Sequence, residues 1–341
     1  MTSATRAIEA IGDPWLEHVV VGRSICLHQP VTRAVALLPD AAHEGTDTRL
    51  PARAELMAAG LLVPPRASSS PPTTIRCGDE GRPAEGPVVI GRYRLSGGAV
   101  VVLTCDCAWL GPRLGAVLAP IECGQGAGGA REVCVTIAVR GDDAYDFAID
   151  GEMVRGGVAR CNARRFALNV VLVETLRHLS VGAVLHGAGV GSAESAVLLV
   201  GKTGAGKSTL ALGLVTRGFE YLSDDLVPLS ASGREVHAFP LAASVKEGSW
   251  GILAEEFPSL GASPVLAFGE RRVRYVDPNA GGARASGSRT PALIVVPRFE
   301  ATAGAPLVRP LTPEAAFGAL LESGTEAVGN PPSLRPLGEL V

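Results

Sequence analysis

No charge sign dominates this chain. Its 31 Lys and Arg stand against 34 Asp and Glu, a formal net charge of −3, so nothing electrostatic draws it to nucleic acid. Absent too is any run of about 18 uncharged apolar residues. The nearest stretch, residues 166–176, is short and carries Asn169 and Glu174, so no membrane partner is expected. The opening Met1-Thr2-Ser3-Ala4 lacks the basic segment and apolar core of a secretory signal, from which a cytoplasmic location is expected. Paired cysteine motifs are missing. The 7 cysteines are scattered and odd in number, and Cys105-Asp106-Cys107 has neither zinc spacing nor a second matching pair, which argues for free thiols. No N-K-x-D stretch exists to read guanine. Gly124-Gln125-Gly126-Ala127-Gly128-Gly129 satisfies G-x-G-x-x-G, but a strand pattern follows it instead of a helix, so it fails as a dinucleotide fingerprint. Leu95-Ser96-Gly97-Gly98 mimics a transporter-ATPase signature, yet it lies before any nucleotide motif and reads as a hairpin turn.

What is present is concentrated between residues 185 and 230. Val197-Leu198-Leu199-Val200 reads as an apolar strand, Gly201-Lys202-Thr203-Gly204-Ala205-Gly206-Lys207-Ser208 as G-x-x-x-x-G-K-S, and Leu210 to Arg217 as a helix-compatible run, the helix starting near Lys207. That order, strand then loop then helix, is the context in which this motif cradles phosphates. Gly201, Gly204 and Gly206 let the backbone turn tightly and present N–H groups to an anion. Thr203, Ala205 and Thr209 complete the cradle, and the helix N-terminus adds the positive end of its dipole. Lys207 would reach the β- and γ-phosphates and Ser208 would sit on Mg²⁺. A nucleoside triphosphate is the implied ligand.

Arg217-Gly218-Phe219 then reads as a helix end with a glycine cap, and Glu220-Tyr221-Leu222-Ser223 as a short strand delivering Asp224 and Asp225. In an open α/β sheet the carboxyl ends of strands face the ligand. Successive residues on an extended chain point opposite ways, so one carboxylate can serve Mg²⁺ while the other faces an acceptor hydroxyl.

Together these residues resemble the HPr kinase/phosphorylase family and its HPr kinase-related relatives. The matching features are Leu185-His186-Gly187 one hairpin before the loop, the G-K-S of Gly206-Lys207-Ser208, Arg217-Gly218 at the helix end, and Asp224-Asp225. The likeness covers roughly residues 160–230 well and the rest of the C-terminal half loosely. It implies ATP as donor and Mg²⁺ as cofactor, with Ser208 and Asp225 holding the metal, Asp224 as the base and His186 beside the transferred phosphate. Read without the family, His186 is more readily a satisfied buried histidine at a strand end. The downstream Glu-Ile-Arg-Gly-type stretch of true HPr kinases is missing; residues 239–250 stand there instead, with Lys246 at a place where HPr kinase-related proteins carry a lysine. That departure points away from HPr as acceptor.

The expected architecture is α/β: a kinase domain of the HPr kinase C-terminal type, a mixed sheet with flanking helices, over residues 161–341. Before it come an α+β region at 1–63, a Pro/Ser-rich linker at 64–87 and a β-rich region at 88–160. Finer expectations are strands at 19–21, 35–38, 88–95, 99–104, 132–139, 145–149 and 292–296, and helices at 52–60, 162–179 and 313–321. The Gly/Ser/Arg-rich residues 279–289 read as a loop, or as a lid bringing Arg284 or Arg289 to the phosphates. Three functions stay open: a kinase acting on a hydroxyl of a peptide, a protein or a small alcohol; a regulatory ATPase with no acceptor; and a phosphoenolpyruvate carboxykinase-like enzyme, for which no ordered Lys, His, Asp and Arg set is evident. The kinase is the preferred reading. A homo-oligomer is compatible with it, and the N-terminal part would either clasp a peptide acceptor or buttress the catalytic half.

Overall fold

The computed structural model describes strands at 17–21, 24–29 and 34–39. It then describes residues 83–341 apart from 96–97, 108, 125–130, 142, 177–178, 269–270, 280–284, 301–305 and 329–332. The helix expected at 52–60 and residues 64–82 of the expected linker lie outside the described residues. β1 (Glu17–Val21), β2 (Ser24–Gln29) and β3 (Ala34–Pro39) form an antiparallel meander.

A five-stranded sheet follows, in sequence order: β4 (Pro83–Arg94), β5 (Val100–Cys107), β6 (Glu132–Arg140), β7 (Ala144–Ile149) and β8 (Glu152–Ala159). β4 begins within the stretch read as linker. The β4–β5 hairpin closes where expected, with Leu95 N–H donating to the Ala99 carbonyl and Gly98 at φ 90°. β5 and β6 are parallel, which demands a crossover. Helix α1 (Leu110–Leu118) supplies it, burying Leu110, Leu114, Val117 and Leu118 at helical spacing. The sequence reading placed no helix there, because Gly111, Pro112 and Gly115 argue against one. Alternation along β5 buries Cys105 and Cys107 on one face. Burial pushes the Cys105 thiol up to about 12, and Cys107 Sγ lies 3.2 Å from the Tyr145 hydroxyl, so these two thiols serve as packing.

Helix α2 (Arg160–Leu176) leads into the C-terminal half, starting and ending slightly before the expected 162–179. There the chain builds β9 (Val181–Leu185), β10 (Gly187–Gly191), β11 (Ser195–Val200), α3 (Lys207–Val215), β12 (Glu220–Asp224), β13 (Val227–Ser230) and β14 (Val236–His237). β15 (Ala243–Lys246), α4 (Trp250–Leu253), α5 (Pro258–Ala262), β16 (Leu266–Phe268), β17 (Arg271–Val276) and β18 (Ser288–Val295) come next. α6 (Pro313–Glu322), β19 (Glu326–Ala327) and α7 (Arg335–Gly338) close the chain. The main sheet has the order β12-β10-β11-β18-β14-β13-β9-β19, and its one parallel pair among the described strands is β11 with β18. A small antiparallel sheet, β15-β17-β16, stands beside it. The fold is therefore mixed α/β, and its main sheet is largely antiparallel.

Two consequences of this topology position the site. β11 and β12 both pair antiparallel with β10, one on each side of it, so their carboxyl ends lie at the same edge of the sheet: Gly187 opposes Val200, and Ala188 opposes Asp224. Close approach fixes the residue at that crossing, since a Cβ on Gly187 would stand 2.6 Å from the Leu199 carbonyl oxygen. The five-stranded sheet also does not stand apart. Its buried Leu103 and Val135, with Leu114 of α1, belong to one apolar cluster with Phe239, Leu241, Val273 and Tyr275, and the Ala242 N–H donates to the Val117 carbonyl at 2.9 Å. No helix among the described residues is long and apolar enough to cross a membrane.

Candidate functional site

Three segments meet at the shared end of β10, β11 and β12. The bend at His186 precedes β10, the glycine-rich loop follows β11, and Asp224-Asp225 ends β12. Leu198, Leu199 and Val200 anchor the loop by burial. Gly201, Gly204 and Gly206 take φ values of 134°, 89° and 92°, a region that side chains with a Cβ avoid. Gly206 caps α3, whose Ala211 and Leu212 pack into the core. Thr203 and Gly204 border the space above the loop.

Lys207 is nearly buried and folds back on its own loop, donating to the carbonyls of Gly201 at 2.7 Å and Lys202 at 3.2 Å. Burial holds its ammonium below the usual lysine range, against the opposing pull of Asp225 and Asp224. The Ser208 hydroxyl donates to Asp224 Oδ1 at 2.9 Å, and the Ser244 N–H donates to Asp224 Oδ2 at 3.1 Å. Loss of solvation, reinforced by the neighbouring Asp225 charge, raises the Asp224 carboxyl to about 7.

Asp224 and Asp225 do diverge, but not by strand alternation. Asp225 has φ 64° and the Leu226 N–H donates to the Asp224 carbonyl at 2.8 Å, the hydrogen bond of a three-residue γ-turn. Asp224 thus stays buried on the Ser208 side, while Asp225 is turned outward and exposed. A non-glycine residue held at positive φ stores local strain, a common property of functional turns.

Two cavities flank the pair. The first, about 580 Å³, lies over the loop and is bordered by Lys207, Ser208, Thr209, Lys246 and Ser249; Thr209 and Ser249 share a hydrogen bond of 2.8 Å. The second, about 570 Å³, lies behind the carboxylates, against α2 and the 241–242 turn. Arg164, His186, Asp225, Arg271 and Tyr275 border both, so His186 sits between the two cavities. Arg164 donates to the Tyr275 hydroxyl. Arg164, Arg271, Ser244 and Tyr275 escaped the sequence reading. Along β17, Arg271 and Tyr275 alternate with Arg272 and Arg274, and the latter pair lies over the Trp250 ring, 5.5 and 4.7 Å from its centroid.

The lid reading of Arg289 is corrected. Its guanidinium pairs with Glu220 at 2.7 Å and donates to the Ser192 carbonyl at 2.9 Å. That is the far end of β12 from the site. Arg284 lies outside the described residues.

No cluster of three or more His, Cys, Asp and Glu side chains suited to a metal occurs among the described residues. For Mg²⁺ this is not an obstacle, because that ion takes one or two carboxylates and completes its shell with phosphate and water oxygens. Ser208, Asp224 and Asp225 offer oxygen donors of that kind.

No protein-family profile matches the chain. Over 70 residues it is 37% identical to the HPr kinase/phosphorylase of Neisseria meningitidis and to that of Neisseria gonorrhoeae. Over 68 residues it is 38% identical to the HPr kinase/phosphorylase of Chromobacterium violaceum. These matches cover 20% of the chain and 22% or 21% of those proteins, so the chain spans about a fifth of the length of the curated relatives it matches. The similarity is partial.

Proposed function

We propose that this protein is an ATP- and Mg²⁺-dependent kinase that transfers a phosphoryl group to a hydroxyl acceptor other than HPr. One observation carries the reading: the parallel carboxyl ends of β11 and β12 bring Lys207 and Ser208 together with Asp224 and Asp225, with His186 completing the group. Lys207 leaves the loop carbonyls to meet phosphate, a contact that strengthens as charge moves toward the leaving oxygen. The acceptor oxygen forms a bond to phosphorus as the bond to the ADP oxygen breaks. ADP keeps that electron pair, and the hydroxyl proton passes to an aspartate and then to solvent. Ser208 and a carboxylate would hold Mg²⁺, whose contribution would be to offset the charge on the phosphates. In this reading Asp225 is the metal carboxylate and Asp224 the base, while His186 orients the group being transferred.

The Ser208–Asp224 hydrogen bond favours a second assignment, in which Asp224 serves the metal beside Ser208 and the outward-turned Asp225 takes the proton. Asparagine variants separate the two. In the first assignment Asp225→Asn raises the Mg²⁺ concentration needed for half-maximal rate, and Asp224→Asn lowers kcat at any Mg²⁺ level. The opposite pattern establishes the exchange. Against HPr as acceptor stands the missing downstream signature. Labelled ATP incubated with HPr, peptides and small alcohols tests this: reversible labelling of HPr would refute the non-HPr acceptor. Label released only as inorganic phosphate would support an acceptor-free regulatory ATPase.

A further inference from the structure

The small sheet β15-β17-β16 turns two unlike faces outward. Residues opposed across antiparallel strands share a face. The register Ser244 to Tyr275 and Lys246 to Val273 therefore sets these four on one side, joined by Arg271 two residues before Val273. All five border the cavity over the glycine-rich loop. Val245 and Arg274, also opposed in register, lie on the other side, where Val245 is buried with Leu212 and Tyr221.

The cations of the two faces differ in what they hold. On the far face Arg272 pairs with Glu247 and lies over the Trp250 ring. Arg274 lies over the same ring and donates to the Leu260 carbonyl at 2.6 Å. On the cavity face, the side chains of Lys246 and Arg271 make no hydrogen bond or ion pair with any described residue. Glu247, next to Lys246 in the chain, is taken by Arg272, and Asp224 is held by Ser208 and Ser244. Burial is the main reason the Lys207 ammonium lies below the usual lysine range, and repulsion from Lys246 lowers it further. Lys207, Lys246 and Arg271 thus border one space with a single carboxylate among its lining residues, Asp225. Like charges gathered around one space repel, and a polyanion seated among them removes that repulsion.

Building on the kinase reading, we propose that Lys246 and Arg271 form a second phosphate-binding wall, facing the glycine-rich loop, that holds the terminal phosphoryl group of the triphosphate. The loop N–H groups and Lys207 hold the phosphates from one side, and the wall meets the last of them from the other. Lys246 borders the loop cavity alone, whereas Arg271 borders both cavities and can follow the phosphoryl group toward the acceptor. The two cations offset charge on non-bridging oxygens. They form no covalent bond and take no part in the proton transfer. A diphosphate leaves the wall unused, so the wall makes the site choose triphosphate over diphosphate.

The test is calorimetry on the full-length protein with Mg²⁺, comparing a non-hydrolysable ATP analogue with ADP in the wild type, Lys246→Gln, Lys246→Arg and Arg271→Gln. Both side chains are exposed, so the fold is expected to persist, and an unchanged thermal midpoint without nucleotide checks this. Lys246→Gln is expected to weaken the analogue about tenfold, the size of one charge-assisted contact, while ADP affinity shifts less than about twofold. Lys246→Arg should retain most of the analogue affinity, and Arg271→Gln should act in the same direction as Lys246→Gln. Single-turnover loss of label from the γ-position of ATP should slow about a hundredfold in Lys246→Gln. In ³¹P NMR of the bound analogue, the γ resonance should move between wild type and Lys246→Gln while the α resonance stays. Equal weakening of analogue and ADP, or unchanged analogue affinity in both glutamine variants, would overturn the proposal and leave the kinase reading standing. Failure of the wild type to bind either nucleotide would remove the kinase reading, and the wall with it.

Discussion

Lys207 shows how a single side chain can wait for its ligand. Among the described residues its ammonium makes no ion pair and donates to two loop carbonyls. Lys207→Ala is therefore expected to lower kcat by two orders of magnitude or more, the usual scale for a preorganised charge at the reacting centre, while the fold is retained. Single-turnover transfer from labelled ATP, read beside the circular dichroism spectrum, checks both halves. Asp224 makes a different prediction. Its folded value, raised from 3.8 to about 7, means that between those two pH values the native state binds a proton the unfolded chain has released. Stability then falls as pH climbs through that window and levels off above it. Asp224→Asn removes the slope, so in EDTA the variant should be the more stable protein near pH 8, with less advantage near pH 4; urea midpoints at the two pH values measure this. Most of these residues were legible from order and spacing alone, because the loop motif fixes its own local geometry. The γ-turn at Asp225 was not, since no glycine or asparagine marks it and the strain is held by the surrounding structure.

At the scale of elements, the strand–loop–helix unit of β11 and α3, the hairpin before it and the short strand β12 could be read from apolar runs and glycine punctuation. Helix α1 could not, because its buried stripe is interrupted by Gly111, Pro112 and Gly115, each a helix breaker by local preference. Tertiary burial of Leu110, Leu114 and Val117 overrides that preference. β17 was hidden for another reason: its inner and outer faces both carry arginines, so polarity does not alternate although the side chains do. The β10–β11 crossing gives this scale its prediction. A methyl group at Gly187 would press on the backbone of Leu199, which cannot swing aside as a flexible side chain can. Gly187→Ala should cost about 1–3 kcal/mol of stability and displace His186, its neighbour, so that the thermal midpoint and transfer rate fall together. An unchanged midpoint would show that the strand pair has slack.

Across the whole molecule, the linker and the β-rich region read as separate segments, yet the described residues place the five-stranded sheet in a core continuous with Leu241, Val273 and Tyr275. Sequence patterns report which face of an element is apolar. They do not report which distant element covers it, and that is why this union was not visible. Its consequence is thermal. A shared interior melts as one body, so scanning calorimetry should record a single endotherm for the five-stranded sheet and the C-terminal half together. Nucleotide bound at the glycine-rich loop would add about 2.7 kcal/mol at a hundredfold excess over its dissociation constant. That increment should appear as slower amide hydrogen exchange in β5 and β6, strands that do not border the loop cavity.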